Sequence, residues 1–351
     1  MDRTRSIAFI VPAYNVEAYI GECLESIVAA STQGDQLILV NDGSQDGTGD
    51  ICRAWQARHP DLILLVEQPN QGLSAARNNG LRLVSTDYVL FMDSDDAVNP
   101  ASLLEARRVL QTHQPDVLTM DFCWWHPQKQ NLQIRSPHCS HAPRTLLLNN
   151  TEFLCETYRD ALLSACSRLF KTNLLLQVAP EVFPHGKAYE EIASVPRLIM
   201  RAQSLYYLDE PLFRYRVREG SITQSKTLRH CLDLATALTR SNQEVTELSG
   251  DQRVHMASNL TTARFLVKSL QDCGLIPQAD RTSYSRVLSA GFQTFTLPMT
   301  EVIAGLQASN WPGAHKAAKH LSMAYLHPTL YVASRQALQT WKRLRRHWHS
   351  H

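Results

Sequence analysis

The chain has 351 residues, of which 44% are hydrophobic and 19% are charged, and its formal net charge is +2. This composition is that of a globular protein, so it excludes a disordered chain, and the small net charge does not indicate a nucleic-acid partner. The eight cysteines show no CxxC spacing, the five apolar residues before Pro12 are too few for a signal peptide, and no run approaches the roughly 18–20 apolar residues of a membrane span. We therefore expect a reduced, cytoplasmic protein.

Short apolar runs in the first third of the chain predict buried strands. They are IAFIV at 7–11, LILV at 37–40, LILLV at 62–66, YVLFM at 88–92 and DVLTM at 116–120. The runs are continuous and not alternating, which is typical of strands buried on both faces of a parallel sheet. Helical spacing of apolar residues follows the first run from Ile20 and the third run from Leu73. This alternation predicts an α/β fold.

The pattern changes in the middle of the chain. Residues 123–150 are rich in Pro, His, Asn and Gln and are interpreted as a long loop or an irregular hairpin. Helical patterns then surround the stretch YYLDEPLFRYRVREGSIT, and from about residue 228 the chain is mostly helical. We predict a first domain at 1–225 and a mostly helical C-terminal region at 226–351.

Three of the predicted strands end in unusual polar sequences. These are PAYN at 12–15, NDGSQDGT at 41–48 and DSDD at 93–96. Each alone could be an ordinary turn, with Asn15 capping the next helix. Because parallel strands end at the same edge of a sheet, the three together indicate a ligand site at that edge.

The residue types at this edge suit a phosphate-bearing ligand. Carboxylates are ligands for Mg²⁺ or Mn²⁺, which would also bind a diphosphate. Tyr14 offers an aromatic face for a nucleobase, and Asp42 offers an acceptor for a base or ribose hydroxyl. Arg77 falls on the inward face of its predicted helix, where its guanidinium either extends along the sheet into water or is directed at a carboxylate or phosphate near the strand ends. Neither a GxxxxGK[ST] motif nor a GxGxxG motif follows the first strand.

Seven sequence blocks, taken in order and spacing, resemble the family 2 glycosyltransferases. They are IVPAYNVEAYIGECLESI, LVNDGSQDGT, NQGLSAARNNGL, FMDSDD and, more weakly, ACSRLFK, YEEIASVPRLIMRA and DEPLFRYRVREGSIT, which together span about residues 5–225. The resemblance implies a GT-A fold, in which a Rossmann-like, mostly parallel sheet has flanking helices. It also implies an inverting enzyme that moves a sugar from a nucleotide diphosphosugar, such as a UDP-sugar, to an acceptor hydroxyl.

The resemblance also implies roles for individual residues. Asp95 would bind Mn²⁺ or Mg²⁺ together with Asp93, which would also contact the ribose or a metal-bound water, and Asp96 would hold the acceptor side or the loop. The residues that would bind the nucleotide sugar are Pro12, Ala13, Tyr14, Asp42, Arg77, Asp93, Ser94, Arg216, Arg218 and Ser221. Of these, Arg216, Arg218 or Ser221 would close over the diphosphate.

The chain departs from the family pattern at the general base. The family has an Asp in an ED pair at a helix start, whereas this chain has Glu190 and Glu191. Glu191 takes the position of the base, and its additional methylene moves the carboxylate by roughly 1.5 Å. Glu190 is the alternative base. Without the resemblance, the pair would be interpreted as an acidic first helical turn. A second departure is NDGS in place of the commoner DDGS.

Two further patterns concern metal binding and the C-terminal helix. Cys123, His126, His138, Cys139 and His141 fit no structural zinc spacing, so we do not predict zinc. In the C-terminal sequence ALQTWKRLRRHWHSH, the apolar positions Ala337, Trp341, Leu344 and Trp348 follow helical spacing and are flanked by basic residues. This pattern indicates either a helix that lies on the membrane surface or one that docks on the protein.

The predicted function is therefore metal-dependent sugar transfer to a glycan or a lipid-linked acceptor in bacterial surface polysaccharide synthesis. The predicted location is the cytoplasm, with possible peripheral contact with the inner face of the membrane, and no nucleic-acid partner is expected. The alternatives are a sugar nucleotidyltransferase, which should carry a Gly-rich basic loop that PAYNVEAYI lacks, and a non-catalytic scaffold of the same fold.

Overall fold

The computed structural model describes residues 5–126, 131–135, 143–178, 181–218, 227–273, 276 and 281–348, with the backbone alone for 131–135, 339 and 341–348. The chain divides into two compact units, Met1–Glu219 and Gly220–His351. Within the described residues, no helix combines the length and the apolar character needed to cross a membrane.

The described part of the first unit contains ten strands and seven helices. The strands are β1 (Ile7–Ala13), β2 (Gln36–Asn41), β3 (Ile63–Glu67), β4 (Tyr88–Phe91), β5 (Ala97–Val98), β6 (Val117–His126), β7 (Asn131–Arg135), β8 (Thr145–Leu147), β9 (Arg168–Lys171) and β10 (Leu205–Arg216). The helices are α1 (Ile20–Ala30), α2 (Thr48–Arg58), α3 (Leu73–Leu81), α4 (Pro100–Thr112), α5 (Asn150–Asp160), α6 (Thr172–Leu176) and α7 (Glu190–Arg201). All five predicted strands are confirmed, and so are the helices predicted from Ile20 and Leu73.

One mixed sheet joins these strands in the order β3-β2-β1-β4-β9-β6-β10-β5, with β7 beside β6 and β8 beside β10. The strands β1 to β4 run parallel, as the continuous apolar runs predict. The strand β9 lies antiparallel between β4 and β6, so the sheet is more mixed than the apolar pattern alone indicates. Since β6 and β10 again run parallel to each other, β1, β2, β4, β6 and β10 all end at the same edge of the sheet.

The core of the first unit explains why the apolar runs are continuous. The strands β1 and β4 are buried along their whole length, and α1 and α4 cover them with apolar residues such as Leu24 and Leu110. The helix α3 packs so closely on the sheet that a Cβ atom at Gly80 would lie 2.7 Å from Cγ2 of Ile10. This close approach seats α3 directly against β1 and β2.

The described part of the second unit consists of six helices. They are α8 (Leu228–Leu248), α9 (Gln252–Cys273), α10 (Arg281–Phe292), α11 (Met299–Ala308), α12 (Ala314–Leu326) and α13 (Pro328–Trp348). Their apolar faces form a separate core, which includes Leu266, Leu288, Val302, Leu321 and Tyr331. The helical character predicted for this region is thus observed.

Candidate active site

The loop after β2 is fixed by Asp42, one of the residues predicted to bind the nucleotide. Its Oδ1 atom accepts hydrogen bonds from Gln68 Nε2 at 2.7 Å and from the backbone N–H of Gln71 at 2.8 Å, and its Oδ2 atom accepts one from the N–H of Gly72 at 2.8 Å. Gly72 immediately precedes α3, so Asp42 joins the end of β2 to the start of that helix. The Asp42 carboxylate thus accepts hydrogen bonds from three N–H groups of the protein.

The PAYN stretch follows the same edge. Its first two residues are the buried end of β1, and Tyr14 is 45% exposed just beyond them. The alternative prediction that Asn15 caps α1 is wrong, because the residue at the N-cap is Tyr19. Instead, Asn15 Oδ1 accepts a hydrogen bond of 2.8 Å from the N–H of Gln45 and links the loops after β1 and β2.

The four residues Asp93–Asp96 form a turn directly after β4, in which the N–H of Asp96 donates to the carbonyl oxygen of Asp93 at 3.1 Å. Ser94 and Asp96 are buried, while the side chains of Asp93 and Asp95 are partly exposed. Removal from water raises the pKa of Asp96 well above its ordinary value, and the carboxylates of Asp93 and Asp95 raise it further. Asp96 Oδ1 accepts a 2.8 Å hydrogen bond from the N–H of Arg216, so this acid anchors β10 while the other two remain accessible.

Arg77 on α3 is 1% exposed and lies among three carboxylates. Its Nη1 atom donates to Glu190 Oε1 at 2.7 Å and lies 3.5 Å from Glu191 Oε1, and its Nη2 atom donates to Asp93 Oδ1 at 2.8 Å. The guanidinium also lies over the ring of Phe183, with 5.3 Å between its Cζ atom and the ring centroid. Arg77 therefore connects the turn after β4 to the first turn of α7. The anions that balance its charge are the carboxylates of Asp93, Glu190 and Glu191.

The two glutamates that replace the family's ED pair begin α7. The side chain of Glu190 is 9% exposed, whereas that of Glu191 is 25% exposed. Glu191 Oε1 also accepts a hydrogen bond of 2.9 Å from the backbone N–H of Ala165. Removal from water raises the pKa of Glu191 to about 7; Arg77 opposes this rise, and the Glu190 carboxylate adds to it. Burial raises the pKa of Glu190 as well, so the two carboxyl groups differ here in exposure, and Glu191 is the more accessible one.

The end of β10 brings two arginines to the same turn. Arg216 donates through Nε to the carbonyl oxygen of Asp95 at 2.7 Å and through Nη2 to Glu22 Oε2 at 2.6 Å, and its guanidinium Cζ atom lies 3.9 Å from the ring centroid of Trp125. Arg218 donates through Nε to Asp95 Oδ2 at 2.7 Å. Both arginines thus contact the carboxylate turn, and the prediction for Ser221 lies outside the described residues.

A divalent cation suits the chemistry of this turn. Asp93 and Asp95 present partly exposed carboxylates at the edge of the sheet, and each is already paired with an arginine. Among the described residues, no group of three or more His, Cys, Asp or Glu side chains is arranged to hold a metal ion by itself. The arrangement therefore fits a cation bound by one or two carboxylates and completed by substrate phosphates, as is usual for Mg²⁺. Of the five residues weighed for zinc, three lie outside the described residues.

Several residues at the site were missed by the sequence interpretation. The thiol of Cys166 lies 3.6 Å from Arg77 Nη2 and 3.9 Å from Glu191 Oε1, and burial raises its pKa well above the ordinary value, so it is a neutral neighbour of both charges. Glu22 and Trp125 reach the site only through Arg216. The family-like blocks ACSRLFK and IVPAYNVEAYIGECLESI contain Cys166 and Glu22, but neither residue was singled out, and no motif pointed to Trp125.

Comparisons with known proteins agree with this architecture. Residues 8–171 match the family model described as Glycosyl transferase family 2. The chain is 31% identical over 222 residues to the glycosyltransferase GlyA of Streptococcus pneumoniae, a match that covers 62% of this chain and 31% of GlyA. It is 28% identical over 229 residues to the minor teichoic acid biosynthesis protein GgaB of Bacillus subtilis, which covers 63% of this chain and 24% of GgaB. The chain thus spans less than a third of the length of either relative.

Two solved structures share the fold. Staphylococcus aureus TarS 1-349, crystallised with UDP-GlcNAc, superposes with a TM-score of 0.68 at 20% identity, over 92% of each chain. The mannosyltransferase PcManGT of Pyrobaculum calidifontis, in complex with GDP-Man and Mn²⁺, superposes with a TM-score of 0.52 at 16% identity, over 97% of this chain and 88% of that one. The GT-A fold predicted from the sequence is confirmed by these likenesses.

Proposed function

We propose that this chain, whose residues 8–171 match the model of glycosyl transferase family 2, transfers a sugar from a nucleotide diphosphosugar to an acceptor hydroxyl, with inversion at the anomeric carbon. The observation that carries the proposal is the placement of Glu191 near Asp93. Both contact the same buried arginine, Arg77, so a carboxyl group that titrates near pH 7 lies next to the acidic turn after β4.

In the proposed reaction Glu191 is the general base. Its carboxylate accepts the proton of the acceptor hydroxyl, and the acceptor oxygen forms a bond to the anomeric carbon. The bond between that carbon and the diphosphate oxygen breaks, and the nucleoside diphosphate leaves with the bonding electron pair. A base with a pKa of about 7 is well matched to this task, because it is substantially deprotonated at neutral pH and still basic enough to take the proton.

The diphosphate side of the site is assigned to the acidic turn and to β10. Asp95, assisted by Asp93, would hold Mn²⁺ or Mg²⁺, which when bound neutralises charge on the leaving diphosphate. Arg218 contacts Asp95 in this structure and would turn to the diphosphate when the sugar nucleotide binds. Tyr14 and Asp42 would contact the nucleoside, since they stand at the ends of β1 and β2 on the same edge.

The relatives support a more specific proposal for the substrates. The complex of TarS with UDP-GlcNAc favours a UDP-sugar for this chain, and the name of GgaB favours an acceptor in bacterial polysaccharide or teichoic acid synthesis. The acceptor would be a glycan or a lipid-linked glycan. A lipid-linked acceptor would place the reaction at the inner face of the cytoplasmic membrane.

A thermal-shift screen tests the binding half of this proposal. Nucleotide diphosphosugars should raise the melting temperature of the purified chain when Mn²⁺ is present, because a ligand that binds only the folded state stabilises it. The variant Asp95→Asn should lose the Mn²⁺-dependent part of the shift. Glu105→Gln on α4, where Glu105 pairs with Arg108 on the surface, is the matched control and should behave as wild type. If no nucleotide diphosphosugar shifts the melting temperature, with or without Mn²⁺, the proposal is wrong.

A further inference from the structure

Charge is distributed unevenly along the chain. Residues 302–351 contain no Asp or Glu and seven Lys or Arg: Lys316, Lys319, Arg335, Lys342, Arg343, Arg345 and Arg346. Since the whole chain has 35 basic and 33 acidic residues, the last 50 residues carry a formal charge of +7 and the preceding 301 carry −5. A segment this basic favours an anionic partner.

Exposed apolar side chains lie in the same segment, where α12 ends and α13 begins. Leu326 is 66% exposed, Leu330 is 63% exposed and Tyr325 is 52% exposed. Met323 and Leu338 are also exposed. We call these five residues the apolar corner. Single exposed apolar residues are common on protein surfaces, but a group of this size within 16 residues indicates a binding surface.

The helix α13 has two distinct sides where its side chains are described. Tyr331 and Val332 are buried in the core of the second unit, whereas Leu330, Ala337 and Leu338 are exposed. The spacing from Leu330 to Ala337 and Leu338 is i, i+7 and i+8, which is one face of a helix. This outward face begins at the apolar corner, and the helix continues for ten more residues through the sequence WKRLRRHW to Trp348.

We propose that the apolar corner and the basic end of α13 bind the surface of an anionic lipid bilayer. The exposed leucines and tyrosine would enter the boundary between headgroups and acyl chains, and the positive charge of the segment would attract anionic headgroups. The helix would lie in the plane of the surface. The inference concerns the second unit and does not rest on the proposed sugar transfer.

Other occupants fit the same surface less well. A second copy of the chain would bring two segments of charge +7 together, and like charges across an interface are unfavourable. A nucleic acid would neutralise the positive charge of the basic residues, but it offers no apolar medium for Leu326 and Leu330. An anionic bilayer is the partner that matches both the charge and the apolar side chains.

Vesicle flotation with the full-length chain tests the inference. The probes are vesicles of phosphatidylcholine alone and of phosphatidylcholine with an equal amount of phosphatidylglycerol. We expect binding to the mixed vesicles that weakens at high salt, and little binding to the neutral ones, because salt screens the attraction to the headgroups. Replacing Leu326 and Leu330 together by Ser should lower the apparent partition coefficient by about tenfold or more, since the bilayer would no longer bury these two apolar side chains.

Matched variants separate the contributions. Leu104→Ser on α4 and Leu148→Ser are controls, because both leucines are highly exposed but belong to the first unit, and they should bind as wild type. Replacing Lys342, Arg343, Arg345 and Arg346 by Gln should abolish the preference for anionic vesicles. Circular dichroism checks that each variant is folded.

Three outcomes would overturn the inference. They are no flotation with mixed vesicles, equal binding to both compositions, and unchanged binding of the leucine pair variant. Light scattering on the same variants adds a further test: if the wild type is a dimer that does not float with mixed vesicles and the leucine pair variant is a monomer, the surface is an interface between copies of the chain and the inference is wrong.

Discussion

Arg77 Nη1 donates a 2.7 Å hydrogen bond to Glu190 Oε1, although 113 residues separate them in the chain. Both side chains are almost completely buried, and the second Nη atom of Arg77 is bonded to Asp93. The turn proposed to bind the sugar donor and the helix proposed to carry the base are therefore joined through one guanidinium. A substitution in the turn after β4 should therefore also alter the start of α7, and the reverse. Most of the predictions for the site follow from this connection.

Arg77→Met should destabilise the fold, because it leaves two or three carboxylates near a buried site without their cation. Loss of one partner from a buried ion pair costs about 3–5 kcal/mol. Arg77→Lys keeps the positive charge and should recover part of that loss. Denaturant unfolding of the three proteins measures this, with Arg53→Met as the control because Arg53 is exposed and pairs on the surface. Equal stability of the wild type and Arg77→Met would contradict the described network.

The same arginine should influence the pH dependence of catalysis. Arg77 opposes the rise in the pKa of Glu191, so without its charge that pKa should be higher than in the wild type. In Arg77→Lys, where the charge remains but the forked geometry is lost, the midpoint of the pH–rate profile should move less than in Arg77→Met. A purely structural role for Arg77 would lower the rate at every pH without moving the midpoint.

Wild-type activity should rise with pH through a midpoint near 7, because Glu191 acts as a base only when it is deprotonated. The stability of the fold should show the opposite trend. A carboxyl group whose folded pKa of about 7 exceeds its unfolded value of 4.5 stabilises the fold fully below pH 4.5, and that contribution is lost as the pH rises through 7. Glu191→Gln should therefore gain stability relative to the wild type between pH 5 and pH 8, and unfolding at the two pH values measures the difference.

Glu191→Asp restores the ED pair of the family, yet we expect it to lower activity. The hydrogen bond from the N–H of Ala165 and the contact with Arg77 hold the longer side chain in place. Shortening it would withdraw the carboxylate by roughly 1.5 Å, and a displacement of this size can cost about a hundredfold in rate. Steady-state rates of Glu191→Asp and of Glu105→Asp, the surface control, test this expectation. An aspartate variant as active as the wild type would show that the site does not depend on the glutamate's length.

Much of the first unit is predictable from the sequence, because the signals are local. The continuous apolar runs identify the strands, and the inward position of Arg77 on α3 requires an anion whatever the tertiary fold. The sequence around Arg77 does not show which anion pairs with it. Glu190 reaches Arg77 only because β9 is inserted between β4 and β6 and α7 begins beside the turn after β4, and no periodicity in the sequence encodes this arrangement.

The contacts at the end of β10 likewise cannot be predicted from the sequence pattern. The sequence RYRVREGS is compatible with a solvated basic strand, and the partners of its arginines in the fold cannot be identified from the sequence itself. Only the parallel pairing of β10 with β6 brings Trp125 beside Arg216. The wrong expectation for Asn15 has a similar cause, because its side chain serves a contact between two loops and not the helix that follows it.

The central claim is that Glu191 deprotonates an acceptor while a nucleotide diphosphosugar is cleaved. The most direct measurement is the release of nucleoside diphosphate, at neutral pH with Mn²⁺ and a cell-wall glycan acceptor, by the wild type and by Glu191→Gln. We expect acceptor-dependent release by the wild type and a loss of about 10²–10⁴-fold in the variant, which is the usual contribution of a general base. Equal rates in the two proteins, or near-zero turnover in both with every nucleotide diphosphosugar, would contradict it.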